Sequence, residues 1–371
     1  MILRIEELKD ACSKILNAVD ANSLSTLTET LEIKTVGQNL FISVTNREYF
    51  AQVKIPINES IEFKATVNAT LFLKLVSQTT TEILELTVDE TNLNIKGNGS
   101  YKLPLIYDGE SLLELPEIAI NNPTSTFNIN ADILKSLITY NSKELTKGVI
   151  SKPIQRLYYV DNQGCITFTS GACVNNFTLD QPIKVLLNDR LVKLFKLFKE
   201  NSVKFTLGYD AISEEIIQTK VRFEDDSICI TAILNCDDSL VASVPVSAIR
   251  NRATNTYNYS VVINKNNLLE TIGRLLLFSD IKATKLYSTF EFGNDSVKIW
   301  DVDKNNNEDI IYENHLDNME SGYTAILDLM DMKATLETCT EQYININFGD
   351  EQAIVIARKN VYNVIPECKL S

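Results

Sequence analysis

The chain has 371 residues, 44% hydrophobic and 23% charged, which suits two or three folded cores and excludes disordered, collagen-like and low-complexity classes. Its 49 acidic residues against 35 basic ones leave a net charge of −14, which excludes an evenly basic nucleic-acid binder but leaves room for an acidic protein with one cationic surface. Apolar runs are too short to span a bilayer, and residues 1–19 carry Arg4, Glu6, Glu7, Lys9 and Asp10 where a secretory signal needs an unbroken apolar stretch. With seven cysteines and no CxxC pair, a cytoplasmic chain with reduced thiols is expected.

From the amino end the pattern predicts a short strand, then a helix over residues 6–19 with Leu8, Cys12, Ile15 and Val19 on one face and Lys9 and Lys14 off it. β-rich runs at 31–35, 40–44 and 49–55 follow, broken at Gly37-Gln38-Asn39 and Thr45-Asn46-Arg47. A second helix begins near Asn68, with Leu71, Phe72, Leu75 and Val76 apolar and Lys74 outside, before strands at 83–88, 93–96 and 101–105. Residues 115–123 hold two prolines and no period, which marks a domain boundary.

The same order then starts again. A strand at 127–129 precedes a helix at 130–140 with Ile133, Leu134, Leu137 and Ile138 inward and Lys135 on that helix, and strands follow at 157–160, 165–169 and 176–179. Residues 187–200, wound at about 100° per residue, gather Leu191, Leu194, Phe195 and Phe198 on one side. Arg190, Lys193, Lys196 and Lys199 fall around the other side, and Asn188 is placed to cap the helix. Strands at 203–207, 218–224 and 228–233 complete this passage, and a polar stretch at 250–255 marks a second boundary.

A third passage repeats the order, with a strand at 259–263 and a helix at 265–278 carrying Leu268, Ile272, Leu275 and Leu276 inward and Lys265 and Arg274 off that face. Paired strands at 285–292 and 296–302, a helix at 327–339 bearing Lys333, and strands at 343–348 and 353–357 close it. Recurrence at roughly 120–140 residues is an internal repeat at domain scale. The expected class is α+β, with three tandem similar domains at residues 1–122, 123–250 and 251–371.

Motifs for catalysis are weak. The single histidine, His315, has no nucleophile motif near it, Gly97-Asn98-Gly99 reads as a turn, and no Gly-Lys-Ser/Thr phosphate loop exists. Residues 301–309 imitate the first half of a calcium loop, but Asn306 stands where the turn needs Gly and Tyr312 where a bidentate Glu should close the shell. No metal, cofactor or catalytic residue is expected. The cations instead sit off the apolar faces of the helices. If those helices share one surface and the strands face outward, an acidic protein can still present a basic lining to DNA.

The strand-helix opening at 3–19, Thr45-Asn46-Arg47-Glu48, Val67-Asn68-Ala69, Arg156-Leu157-Tyr158-Tyr159-Val160, Phe168-Thr169-Ser170-Gly171 and the tail from Tyr362 through Ile365-Pro366 to Leu370 carry a resemblance. Together with the threefold repeat, they make the chain resemble the bacterial DNA sliding clamp, the beta subunit of the replicative DNA polymerase III holoenzyme, over essentially its whole length. The resemblance implies a non-enzymatic, head-to-tail homodimer closed as a ring, with helices lining the hole and antiparallel sheets outside. It implies sequence-independent contact with double-stranded DNA, with Arg156, Tyr158 and Tyr159 beside the helix cations near the duplex. Leu277 and Phe278 match interface positions, although as plain residues they could equally close the core behind their helix.

A groove for peptides of the replicative polymerase, the clamp loader and other clamp-binding proteins would involve Val160, Thr169, Gly171, Val174, Pro245, Ile365 and Pro366. Ser170, Ala172, Cys173 and Glu367 depart from the family pattern, so a divergent member, of the kind a phage or plasmid carries, is implied. The alternative class is a non-catalytic repeat scaffold that binds peptides without encircling DNA.

Overall fold

The computed structural model describes the chain except residues 20–24, 59, 143–152, 169–170, 214–216, 235–237, 280–284, 318, 320, 351 and 369–371. Contacts divide it into two compact units, Met1–Asp132 with Lys193–Asn235, and Ile133–Val192 with Cys236–Ser371. The middle passage contributes strands to both.

In the first unit one eight-stranded antiparallel sheet runs in the order Pro123–Asn130, Ser202–Ala211, Ile217–Glu224, Ile228–Leu234, Tyr49–Pro56, Asn39–Thr45, Thr30–Val36, Lys64–Asn68. Its joint between passages is the pairing of Ile228–Leu234 with Tyr49–Pro56, where Thr231 lies opposite Phe50. A four-stranded sheet is built from Ile2–Arg4, Ile83–Val88, Asn92–Lys96 and Ser100–Pro104.

Helix α1 (Ile5–Leu16) buries Leu8, Ala11, Cys12 and Ile15, and its first-turn Glu6 and Glu7 and last-turn Lys14 suit the helix dipole. Helix α2 (Ala69–Gln78) is capped by Asn68, whose side chain accepts from the Leu71 N–H at 3.0 Å. Its buried face is Phe72, Leu73 and Val76, and Leu71, expected inward, is exposed. The stripe is rotated because Leu73 also goes to the core.

The second unit repeats this plan. Its eight-stranded sheet runs Lys184–Asn188, Leu157–Asp161, Gly164–Phe168, Ala172–Asn176, Val361–Pro366, Ala353–Ala357, Tyr343–Phe348, Tyr259–Asn264. Here the joint sets Cys173 opposite Asn363 and Ala172 opposite Val364. A four-stranded sheet comprises Asn307–Ile311, Ser296–Trp300, Tyr287–Phe292 and Tyr323–Asp328.

Helix α3 (Ala131–Ser136) continues into a π-type turn at Leu137–Asn141, whose wider winding aims Asn141 at Thr167 and Asn175, both at 3.1 Å. The expected helix at 187–200 is shorter. Leu187 and Asn188 end the strand Lys184–Asn188, helix α4 spans Asp189–Leu194, and a 3₁₀ turn follows at Phe195–Leu197. Leu191, Val192, Leu194, Phe195, Leu197 and Phe198 are all buried, more apolar positions than one helical stripe can bury, so the winding tightens. Asn188 does cap it, accepting from the Leu191 N–H at 2.8 Å. Phe195 packs on Phe223 at 4.6 Å between ring centres.

Helices α5 (Asp238–Ala242) and α6 (Val246–Thr254) occupy a stretch that the sequence reads as a polar boundary. Val246, Ile249 and Ala253 share one face of α6 and pack with Tyr159, Ile166, Ala172 and Val174, a period that Arg250 and Arg252 obscure. Helix α7 (Lys265–Leu276), capped by Asn264, and helix α8 (Leu329–Thr338), capped by Asp328, bury Leu268, Ile272, Leu275, Met332 and Leu336 in one core with Phe292 and Phe348, whose rings lie 4.1 Å apart. Among the described residues no helix is long and apolar enough to cross a membrane, and no cluster of His, Cys, Asp and Glu could hold a metal ion.

Candidate nucleic-acid interface and peptide groove

In the first unit, α1, α2, the end of α4 and the segment after it carry the predicted cations. Lys74, Lys193, Lys196 and Lys199 are exposed and Lys9 is half-buried. Lys14 is not available to a ligand, since it is only 7% exposed. Its ammonium donates to the Ser227 hydroxyl at 3.0 Å and pairs with Asp10 at 3.0 Å. Asp10 also binds Lys199, and these two lysines, Lys199 foremost, hold its carboxyl below the usual carboxylate range against the opposing effect of burial.

In the second unit Arg156 and Arg190 are exposed and Lys135 and Lys333 are half-buried. Lys265 donates to the Cys339 carbonyl at 3.3 Å. Arg274 faces Glu308, with Nη2 at 2.7 Å and Nε at 2.9 Å, and this bond raises the guanidinium pKa and lowers that of Glu308.

Tyr158 and Tyr159, expected beside DNA, are core residues. Neighbouring residues on the strand Leu157–Asp161 point to opposite faces, and both rings are buried, Tyr159 under the α5–α6 region. The Tyr158 hydroxyl donates to Asp189 at 3.0 Å, and burial pushes both phenol pKa values up. The expectation of phosphate contact for these two side chains is thereby corrected.

The predicted groove residues lie in the second unit, around the joint of Ala172–Asn176 with Val361–Pro366. Alternation along the strands puts Ala172, Val174, Tyr362 and Val364 on the face covered by Val241, Val244, Val246 and Ile249 of the α5–α6 region. Pro366 follows Val364 on that face, and exposed Pro245 begins α6. Gly171 is required at the joint: a Cβ there would stand 1.9 Å from the Val364 carbonyl oxygen.

Val160 and Ile365 do not join them. Both are buried, Ile365 within the core of α7 and α8, and Val160 on the strand face away from Tyr159. Thr169 lies outside the described residues.

Several residues escaped the sequence reading. Arg250 on α6 donates to both Asp161 oxygens at 2.7 Å and to Gln163 at 3.0 Å, beside Pro245. Arg358, 8% exposed, donates to the Thr338 carbonyl at 3.1 Å and to the Asn363 side chain, and lies 5.2 Å from the Tyr140 ring centre. No local pattern announces it, because only Asn363 lies near it in sequence and its other partners are Thr338 and Tyr140.

Leu277 and Phe278 are 78% and 59% exposed, so they do not close the core behind α7. Ile311 is 75% exposed and ends Asn307–Ile311, an edge strand of its sheet, and Ser100–Pro104 is an edge strand in the first unit. Exposed apolar groups and open edges of this kind are surfaces that proteins cover.

No family model matches the chain, and no curated protein matches it in sequence. Solved structures similar to it over its full length are bacterial replication clamps. The DNA polymerase III subunit beta of Pseudomonas aeruginosa is 14% identical with a TM-score of 0.80, covering 100% of both chains. The DNA polymerase sliding clamp of Bacillus subtilis is 14% identical with a TM-score of 0.78, covering 100% of this chain and 99% of that one. The Helicobacter pylori beta clamp, solved bound to a DNA ligase peptide, is 14% identical with a TM-score of 0.76 and the same coverage. At these identities the likeness is one of fold, and the α+β clamp fold expected from the sequence is the fold observed.

Proposed function

We propose that the chain is a DNA polymerase processivity factor, a non-enzymatic sliding clamp that closes around duplex DNA as a homodimer in the cytoplasm. In this reading the element repeat defines three clamp domains, residues 1–122, 123–250 and 251–371. The observation that carries it is the likeness, end to end, to bacterial replication clamps. DNA contact would be to phosphates and independent of sequence, made by the exposed cations Lys74, Arg156, Arg190, Lys193, Lys196 and Lys199.

Partner proteins, the replicative polymerase and the clamp loader among them, would dock near Pro245 and Pro366, as the Helicobacter pylori clamp bound to a ligase peptide suggests by analogy, since Val174 is itself fully buried beneath the α5–α6 region. Subunit contact would join the edge Ser100–Pro104, with exposed Lys102, to the edge Asn307–Ile311, with exposed Asp309, of a second copy beside Leu277 and Phe278.

Native mass spectrometry tests the assembly. The wild-type chain is expected as a dimer and Leu277→Asp/Phe278→Asp as a monomer. A wild-type monomer at micromolar concentration would refute the ring.

A further inference from the structure

We propose that Asp10 is an internal stand-in for a DNA phosphate: its carboxylate holds Lys199 in the free protein and releases it when a backbone phosphate arrives. The inference rests on the clamp reading. Lys14 is the fixed member of the set. Its side chain is 8% exposed, it lies one helical turn after Asp10 on α1, and the Ser227 hydroxyl gives its ammonium a second partner, so it keeps the carboxylate in place. Lys199 is the exchangeable member, with a side chain 63% exposed and Asp10 as its ion-pair partner.

An exposed ion pair is weak and screened by solvent. A duplex carries a dense row of phosphates, each presenting the same kind of oxygen to an ammonium, and can take Lys199 from a single carboxylate. Two lysines share the one Asp10 carboxylate, so release of Lys199 leaves that carboxylate still paired with Lys14, while Glu6, Glu7 and Lys54 line the same pocket. Asp10, like any aspartate, is ionised at neutral pH, and the two lysines lower its pKa further, so the pair with Lys199 is a charged one in the free protein. The device limits how tightly the free surface grips DNA without removing the contact. A protein that must slide needs that balance.

The test is a double-mutant cycle read by fluorescence anisotropy of a labelled duplex across a salt series, with thermal melting to confirm folding. Asp10→Asn is expected to tighten binding by about 1.5- to 5-fold, the range an exposed ion pair can withhold, with an unchanged salt slope. Lys199→Gln should make the slope shallower by ~0.9, the loss of one phosphate contact. In the Lys199→Gln background, Asp10→Asn should give no more than Glu7→Gln, which removes a carboxylate one turn earlier on the same helix.

An Asp10→Asn gain of equal size in both backgrounds would reduce the effect to general charge and overturn the proposal. Should Asp10→Asn not fold, Lys199→Gln decides alone, since an unchanged slope there overturns it. Wild-type protein that binds no duplex would instead overturn the clamp reading itself.

Discussion

Gly171→Ala is the sharpest local perturbation of the joint that makes one sheet out of the middle and third passages. The new methyl group would sit 1.9 Å from the Val364 carbonyl oxygen and 3.0 Å from Pro366 Cδ. Ordinary contact between a carbon and a carbonyl oxygen is more than 1 Å longer than the first of these, so the two strands must separate by about that much. Overpacking of this kind costs about 1–3 kcal/mol. The shift also strains the ladder that pairs Ala172 with Val364 and Cys173 with Asn363, where each weakened backbone bond adds about 0.5–1.5 kcal/mol. A destabilisation of about 2–4 kcal/mol follows. Urea unfolding at fixed pH measures it as a lower midpoint at unchanged m-value. The same variant should weaken any peptide that docks against Pro366, because that residue moves with its strand. A loss below about 0.5 kcal/mol, the scatter of ordinary surface changes, would refute the account of the joint.

Arg358→Met roughly keeps the volume but removes the guanidinium bonds to the Thr338 carbonyl and the Asn363 amide oxygen, which should cost about 1–3 kcal/mol in the same urea assay; a neutral result would mean that these two bonds add nothing to stability. His315, the only histidine, gives one clean proton resonance for a titration. The hydrogen bond that its Nδ1–H donates to the Asp295 carboxylate, at 2.5 Å, and the nearby charges of Asp295 and Asp317 raise its pKa above the ordinary 6.5. Because the folded value is the higher one, this contact stabilises the fold fully below 6.5 and stops doing so as pH rises through the folded midpoint. Asp295→Asn should move the midpoint back toward 6.5, and a wild-type midpoint at or under 6.5 would contradict the pairing.

The apolar faces of α1 and α7 and the capping role of Asn188 are legible from spacing, because a helix writes its partners three and four residues apart. The joints between passages are not. Ala172 meets Val364 through a backbone ladder whose two strands carry no common local signal, and only the close approach at Gly171 marks the place. Tyr158 and Tyr159 are set beside DNA by the resemblance alone, whereas the unbroken run Leu157-Tyr158-Tyr159-Val160 is the pattern of a strand covered on both faces, as it is here. Lys14 was recoverable: Asp10 stands four residues before it, the spacing at which a carboxylate and an ammonium on a helix meet. The exposure of Leu277 and Phe278 could not be read from the chain either, since the same residues at the end of an amphipathic helix serve a core equally well.

Topological retention on DNA tests the central claim most directly. The protein, loaded onto a nicked circular plasmid and separated from unbound protein by gel filtration at raised salt, is expected to stay with the circle and to leave once a restriction enzyme linearises it. Equal loss from circular and linear DNA would show that the chain binds duplexes from outside, and would contradict a closed clamp.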